Sequence, residues 1–197
     1  MASTESPRRP SRRITFVKHA RPQRLEGVDN HHWPLSPEGR EGASRLGDLL
    51  KGNAYAAVVS SDEPKAAETA QILAAALGLQ STAHAGLREH DRSNVPIMRT
   101  PEFVSAIAHF FRRPDQLVLG RETARQALKR FAAAVDAALA AHPAGDLIVV
   151  AHGTVISLWL DAHCGLDGYD AWRQMGLPSY ATVEWPACEV IERRDQI

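Results

Sequence analysis

The sequence predicts an α/β three-layer sandwich, a mostly parallel central sheet with helices on both faces, from three observations. Residues 14–17, 56–60 and 147–151 are short apolar runs rich in β-branched residues, too brief for helices of their own and without the polar alternation of a half-wet strand. The last two are each adjoined by a strongly patterned helix, and alternation of strand and helix builds a parallel sheet covered on both sides. Finally, 44% of the 197 residues are apolar, enough for one core, and no repeat, low-complexity stretch or linker divides the chain.

Residues 1–12 are expected to form a disordered tail, because Arg8, Arg9, Arg12 and Arg13 are interrupted by Pro and Ser at a terminus. The domain is then expected over 13–197, with its first strand at 14–17. A helix follows, opened by Ser36 as N-cap and Pro37 at its first position; Ala43, Leu46, Leu49 and Leu50 form its apolar stripe, and Gly52-Asn53 stops it. After the strand at 56–60, a second helix is expected to open at Ser61 and end at Gly78. The polar loop 88–94 has no period and reads as a solvated loop or as the wall of a site. Thr100-Pro101-Glu102 opens a third helix, with Phe103, Ile107, Phe110 and Phe111 at helical spacing and Arg113-Pro114 as its stop. A fourth follows Thr123, turning Ala127, Leu128, Phe131, Val135 and Leu139 inward until His142-Pro143. The strand at 147–151 leads into a helix at 154–160. Residues 181–185, a Pro186-Ala187 turn and residues 189–192 read as a terminal hairpin.

Composition excludes several functions. Lys and Arg total 23 against 23 Asp and Glu, which removes the long-range field that favours nucleic acid or an anionic membrane. No stretch approaches the ~20 apolar residues of a membrane span, and the N-terminus lacks the apolar core of a signal peptide. A cytoplasmic location is the expectation. Cys164 and Cys188 belong to no CxxC or Cys/His cluster, and the histidines show no HExxH. His31 and His32 are adjacent rather than spaced for one helix face. No metal and no cofactor are expected.

In an open parallel sheet, ligands bind beyond the carboxyl ends of the strands. His19 follows the first strand, Ser60-Ser61 the second, and His152 the third. Gly153 then allows close backbone approach, and the helix from Thr154 would aim its N-terminal amides at the same edge, a setting suited to an anion. Either histidine alone reads as a hydrogen-bonded strand-end residue; the two together, with Lys18 and Lys65 alongside, mark a site. Lys65 has a rival role, an ion pair with Asp62 or Glu68.

Phe16-Val17-Lys18-His19-Ala20 resembles the Arg-His-Gly strand-end motif of the histidine phosphatase superfamily, the phosphoglycerate mutase-like fold. Four further blocks agree in order: Leu35-Ser36-Pro37-Glu38-Gly39-Arg40 resembles the family's Leu-Thr/Ser-x-x-Gly-Arg helix start, and the block from Ser61 to Ala70 its Ser-Pro-x-x-Arg-Ala-x-x-Thr-Ala. Leu87-Arg88-Glu89 is similar to its Leu-x-Glu, and Ala151-His152-Gly153 to its second His-Gly. The likeness spans 14–192. This chain departs from the pattern in carrying Lys-His-Ala for Arg-His-Gly, and Lys65 where the family has arginine. Lysine keeps the charge but loses the planar fork that grips phosphate through two bonds; Arg21 is a candidate to compensate.

The resemblance implies metal-independent hydrolysis of phosphomonoesters. His19 would attack phosphorus to give a phosphohistidine, His152 would donate to the phosphoryl oxygens, and Glu89 would protonate the leaving oxygen, with His90 and Asp91 as rival acids. Lys18, Lys65, Arg21, Gly153 and Thr154 would bind the phosphate, with Arg88 and Arg92 in reserve. The expected partner is a phosphorylated small molecule or phosphopeptide. Two alternatives stay open: a non-catalytic phosphoryl-ligand binding protein, and a phosphoglycerate mutase-type phosphotransferase.

Overall fold

The computed structural model describes residues 11–96 and 98–197. Six strands form one sheet in the order β3-β2-β4-β1-β5-β6. β1 (Arg12–Lys18), β2 (Tyr55–Ser60), β3 (Ser81–Ala83) and β4 (Asp146–Ala151) are mutually parallel, and β5 (Ser179–Trp185) and β6 (Glu189–Arg194) add antiparallel at one edge. The terminal hairpin therefore belongs to the same sheet.

Successive side chains of a strand point to opposite faces, so the central strands feed two cores at once. Ile14, Phe16, Leu147, Val149 and Ala151 pack on one face against Phe110, Phe131 and Trp159. Val17, Ile148 and Val150 pack on the other against Leu46, Leu50, Ala70 and Leu73. Those partners place α1 (Pro37–Leu50) and α2 (Pro64–Leu77) on the second face. The first face is covered by α3 (Thr100–Arg112), α4 (Ala124–Ala141) and α5 (Gly153–Cys164). The three layers match the expected architecture.

Helix starts follow local chemistry. The Ser36 hydroxyl accepts from the Gly39 N–H at 3.1 Å with Pro37 at the first helical position, and Thr123 and Gln126 close a reciprocal capping box on α4. The second helix differs from expectation. Ser61 does not cap it; its hydroxyl accepts from the Glu63 N–H at 3.2 Å, forming a turn, and α2 starts only at Pro64 with Glu63 as N-cap. Two elements escape the sequence pattern altogether, the three-residue β3 and α6 (Gly168–Gln174), each too short to show a period.

β1 begins at Arg12, inside the stretch expected as tail, because β5 pairs along its whole length from Arg12↔Trp185 to Lys18↔Ser179. The Arg12 guanidinium also donates to the His142 carbonyl at 2.5 Å. Ser11, also in the expected tail, donates its hydroxyl to the Glu184 carboxylate, and residues 1–10 lie outside the described residues. Among the described residues no helix is long and apolar enough to cross a membrane.

What matters for function is the carboxyl edge of the parallel strands. The His19 N–H donates to Ala151 O at 3.0 Å and the Ser61 N–H to Val150 O at 2.9 Å, so the ladders run one residue past β1 and β2. His19, Ser61 and His152 thus reach one edge together.

Candidate active site

His19 is 7% exposed and its Nδ1 lies 2.8 Å from the Ala20 carbonyl oxygen. A ring nitrogen facing a carbonyl must donate, so in the neutral imidazole Nε2 keeps its lone pair. Burial, followed by the fields of His152 and Lys65, holds the His19 pKa well below its ordinary value, so the ring is neutral at pH 7. Ala20 packs against Leu35 and Ala43, and its N–H donates to the Thr69 hydroxyl at 3.1 Å, fastening the β1–α1 turn to α2.

The His152 ring lies edge-on to His19 with centroids 5.1 Å apart. It is fully buried, and neither ring nitrogen has a hydrogen-bond partner among the described residues. Burial presses its pKa down to about 4 even though Glu63 and Glu89 pull upward. Both imidazoles are therefore neutral, with unused polar atoms in a dry setting.

Two lysines stand where the sequence places them. Lys18 Nζ donates to Met175 O at 2.8 Å, and its side chain runs over Gly153, where a Cβ would sit 3.2 Å from Cε. Glycine gives the Lys18 side chain room there, since a Cβ would make it give by a few tenths of an ångström; its dihedral range is not in play. Burial lowers the Lys18 pKa, opposed by Glu89. Lys65 Nζ donates to Asn30 O at 2.7 Å and to Glu63 Oε2 at 2.6 Å. The expected partners of Lys65 are engaged elsewhere: Asp62 pairs with Arg88 and Glu68 with Arg40.

Glu89 reaches the same edge from the loop after β3. Its Oε2 accepts from the Thr154 N–H at the start of α5 at 3.2 Å, and Oε1 accepts from the His90 N–H at 2.8 Å. Burial alone would raise its pKa, but Arg92, His152 and the His90 amide bring it down to about 2. The carboxylate is ionised in the free protein. Arg92 lies 3.6 Å from Glu89 Oε2, donates to the Thr154 hydroxyl at 3.2 Å, and covers the Phe103 ring. The loop is held by Gly120, whose φ of +79° suits glycine and where a Cβ would strike the Asp91 carbonyl oxygen.

The sequence profile of the histidine phosphatase superfamily (branch 1) matches residues 14–191. The chain belongs to that superfamily. Curated protein sequences yield no significant match. Among solved structures, a mycobacterial glucosyl-3-phosphoglycerate phosphatase is 21% identical with a TM-score of 0.73, over 94% of this chain and 97% of that one. YhfR of Bacillus stearothermophilus is 22% identical with a TM-score of 0.74, over 94% and 97% of the two chains. The α-ribazole phosphatase of Shigella flexneri is 17% identical with a TM-score of 0.70, over 93% and 95%. At these identities the likeness shows the histidine phosphatase fold.

Within that fold the structure gathers Lys18, His19, Lys65, Glu89, His152, Gly153 and Thr154 at one edge and leaves other expected residues aside. Arg21 is exposed and its side chain makes no hydrogen bond among the described residues; its field reaches Glu38 at the start of α1. Arg88 is an exposed partner of Asp62. Of the rival acids, His90 packs on Phe110 and its Nε2 meets Glu122 O at 2.9 Å, and the Asp91 carboxylate accepts from Ser93; Asp91 and Arg88 line the cleft beside Glu89.

One residue held in reserve by the sequence, Arg92, moves into the site, and another, Glu63, emerges only in three dimensions. Arg92 supplies a guanidinium to a site whose motif positions carry lysine. Glu63, 3% exposed, accepts from Lys65, from the Glu89 N–H at 2.8 Å and from His31 Nδ1 at 3.1 Å, and it lies 3.4 Å from His152 Nε2. Burial would raise its pKa, but His152, His31 and Lys65 hold it well below the ordinary carboxyl value. The one trace of Glu63 in the sequence is an acid inside the block that contains Lys65. His31, at the lip, is shifted upward chiefly by its hydrogen bond to Glu63. A cleft of about 860 Å³ opens beside this group, bordered by His31, Asp62, Glu63, Glu89 and Arg130.

Proposed function

We propose that this protein is a phosphomonoester hydrolase that works without a metal through a phosphohistidine on His19. The observation that carries the reading is the His19 ring itself, neutral, with Nδ1 committed to Ala20 O and Nε2 free, beside a second buried imidazole and two ammonium groups. Nε2 forms a bond to phosphorus as the ester P–O bond breaks. Glu89 gives the leaving oxygen its proton, then takes one from the water that cleaves the N–P bond. Since Glu89 is ionised in the free protein, it acquires that proton when the phosphoryl charge arrives, which offsets the pull of Arg92. Lys18, Lys65, Arg92, the α5 N-terminus at Gly153-Thr154 and His152 stabilise the oxygens.

The substrate class that fits is a small phosphorylated metabolite or a phosphopeptide. The solved relatives named for glucosyl-3-phosphoglycerate and α-ribazole phosphatase activities favour the metabolite. A second reading, a phosphoryl-ligand binder without turnover, is favoured by one observation: both lysines are docked on protein acceptors. Rapid-quench phosphorylation decides between them. The enzyme should give an acid-labile, base-stable adduct that His19→Ala abolishes; a pocket that binds phosphate yet never becomes labelled would make it a binder.

A further inference from the structure

Glu63 is an anion inside a pocket read as an anion site. Its carboxylate accepts from the ammonium of Lys65 at 2.6 Å, the Glu89 amide at 2.8 Å and His31 Nδ1 at 3.1 Å, and lies 3.4 Å from His152 Nε2. Lys65 and His152 are the two groups on this side of the site that the phosphate reading requires. Lys65 also donates to Asn30 O, which leaves one of its three N–H groups for an incoming oxygen, whereas neither His152 ring nitrogen has a hydrogen-bond partner among the described residues.

We infer that Glu63 is an internal stand-in for the phosphoryl group, occupying Lys65 in the free protein and competing with phosphate for it. The inference rests on the phosphate-site reading above. Its physical basis is charge. A buried carboxylate paired with a buried ammonium is held firmly, because separating the two strands an uncompensated ion. An incoming phosphate dianion must either draw Lys65 away or share it against like-charge repulsion, which is little screened in so dry a place. Affinity for phosphate, whether substrate or product, is thereby limited. Glu63 lowers the affinity for every phosphorylated ligand alike, so a ligand that binds must add contacts from its remainder in the neighbouring cleft. The cost of occupying the site is repaid by release of product.

The test measures binding of inorganic phosphate and orthovanadate to the full chain by calorimetry, comparing wild type with Glu63→Gln. Gln keeps the shape and the acceptor oxygen for Lys65 but removes the charge. Binding should tighten roughly 10- to 100-fold, the size expected for deleting one nearby like charge at an effective dielectric near 20. A merely structural role for Glu63 would weaken binding. Should the Gln variant fail to fold, Glu63→Asp draws the carboxylate back by one methylene from Lys65 and should tighten binding severalfold. Unchanged or weaker binding in a folded variant overturns the stand-in. If neither wild type nor variant binds either anion, the phosphate-site reading falls with it.

Discussion

At the scale of single residues, function depends on how burial and neighbours divide the protons. Glu89 and Glu63 are both ionised, yet only Glu89 touches the α5 N-terminus, where a leaving oxygen would emerge from the His19 edge. Glu89→Gln should therefore slow esters with poor leaving groups by roughly 10² to 10⁴ and activated aryl phosphates much less, as acid catalysis requires. The same pattern in Asp91→Asn would move the role to a residue that the structure turns toward Ser93. The buried histidines carry a second prediction. His152 titrates at about 4 in the fold and near 6.5 when unfolded. The unfolded chain thus binds more protons between those values, so stability is full above about pH 6.5 and falls as the pH drops toward 4, by roughly 3 kcal/mol for this group alone. His19 acts in the same direction. His31, shifted upward, contributes fully below pH 6.5 and does not offset the loss in that window. Melting temperatures measured from pH 7 to 4.5 should decline, and His152→Asn should flatten the decline; an identical slope in that variant would falsify the assignment.

At the scale of elements, the site is a product of strand ends and helix starts. β4 ends at Ala151 and α5 begins at Gly153 with only His152 between them, so an imidazole and the amides of a helix N-terminus share one turn. Lys18 from the neighbouring strand crosses that turn through the space left by Gly153. Gly153→Ala should favour the helix by propensity while displacing the Lys18 ammonium by a few tenths of an ångström. The expected result is an unchanged or slightly higher melting temperature with weaker vanadate binding; full binding would show that Lys18 adapts. The helix that carries Lys65 shows why local signals mislead at boundaries. Ser61 is a good N-cap residue, but Pro64 can occupy the first helical position, and the intervening turn uses the Ser61 hydroxyl for Glu63. That turn aims the Glu63 side chain into the pocket.

At the scale of the whole molecule, the proposed mechanism would draw its positive charge from lysines, an arginine and a helix N-terminus, and no group of three or more metal-ligating side chains occurs among the described residues. Hydrolysis should persist in excess chelator, and activity restored only by Mg²⁺ or Zn²⁺ would overturn that mechanism. The sequence by itself determined the layered α/β architecture, since β-branched runs flanked by capped, striped helices leave few other ways to bury their apolar faces. It also placed His19 and His152, because strand ends in a parallel sheet are where ligands bind and both residues follow directly on strand runs. Lys18 and Lys65 stood out beside those two histidines, whereas Glu89 followed from a family-like block, not from periodicity. Tertiary structure alone decided the rest. β3 and α6 are too short to display a period, and β1 gained Arg12 only because β5 lies beside it. Arg92 lies in a loop that the sequence leaves open as solvated or as the wall of a site, and Glu63 falls at the start of the helix expected from Ser61, with no role that its position announces. Whether such a charge faces water or a buried partner depends on contacts distant in sequence, such as Thr154 for Arg92 and His31 and His152 for Glu63, and the free energy of burying an ion is set by those partners.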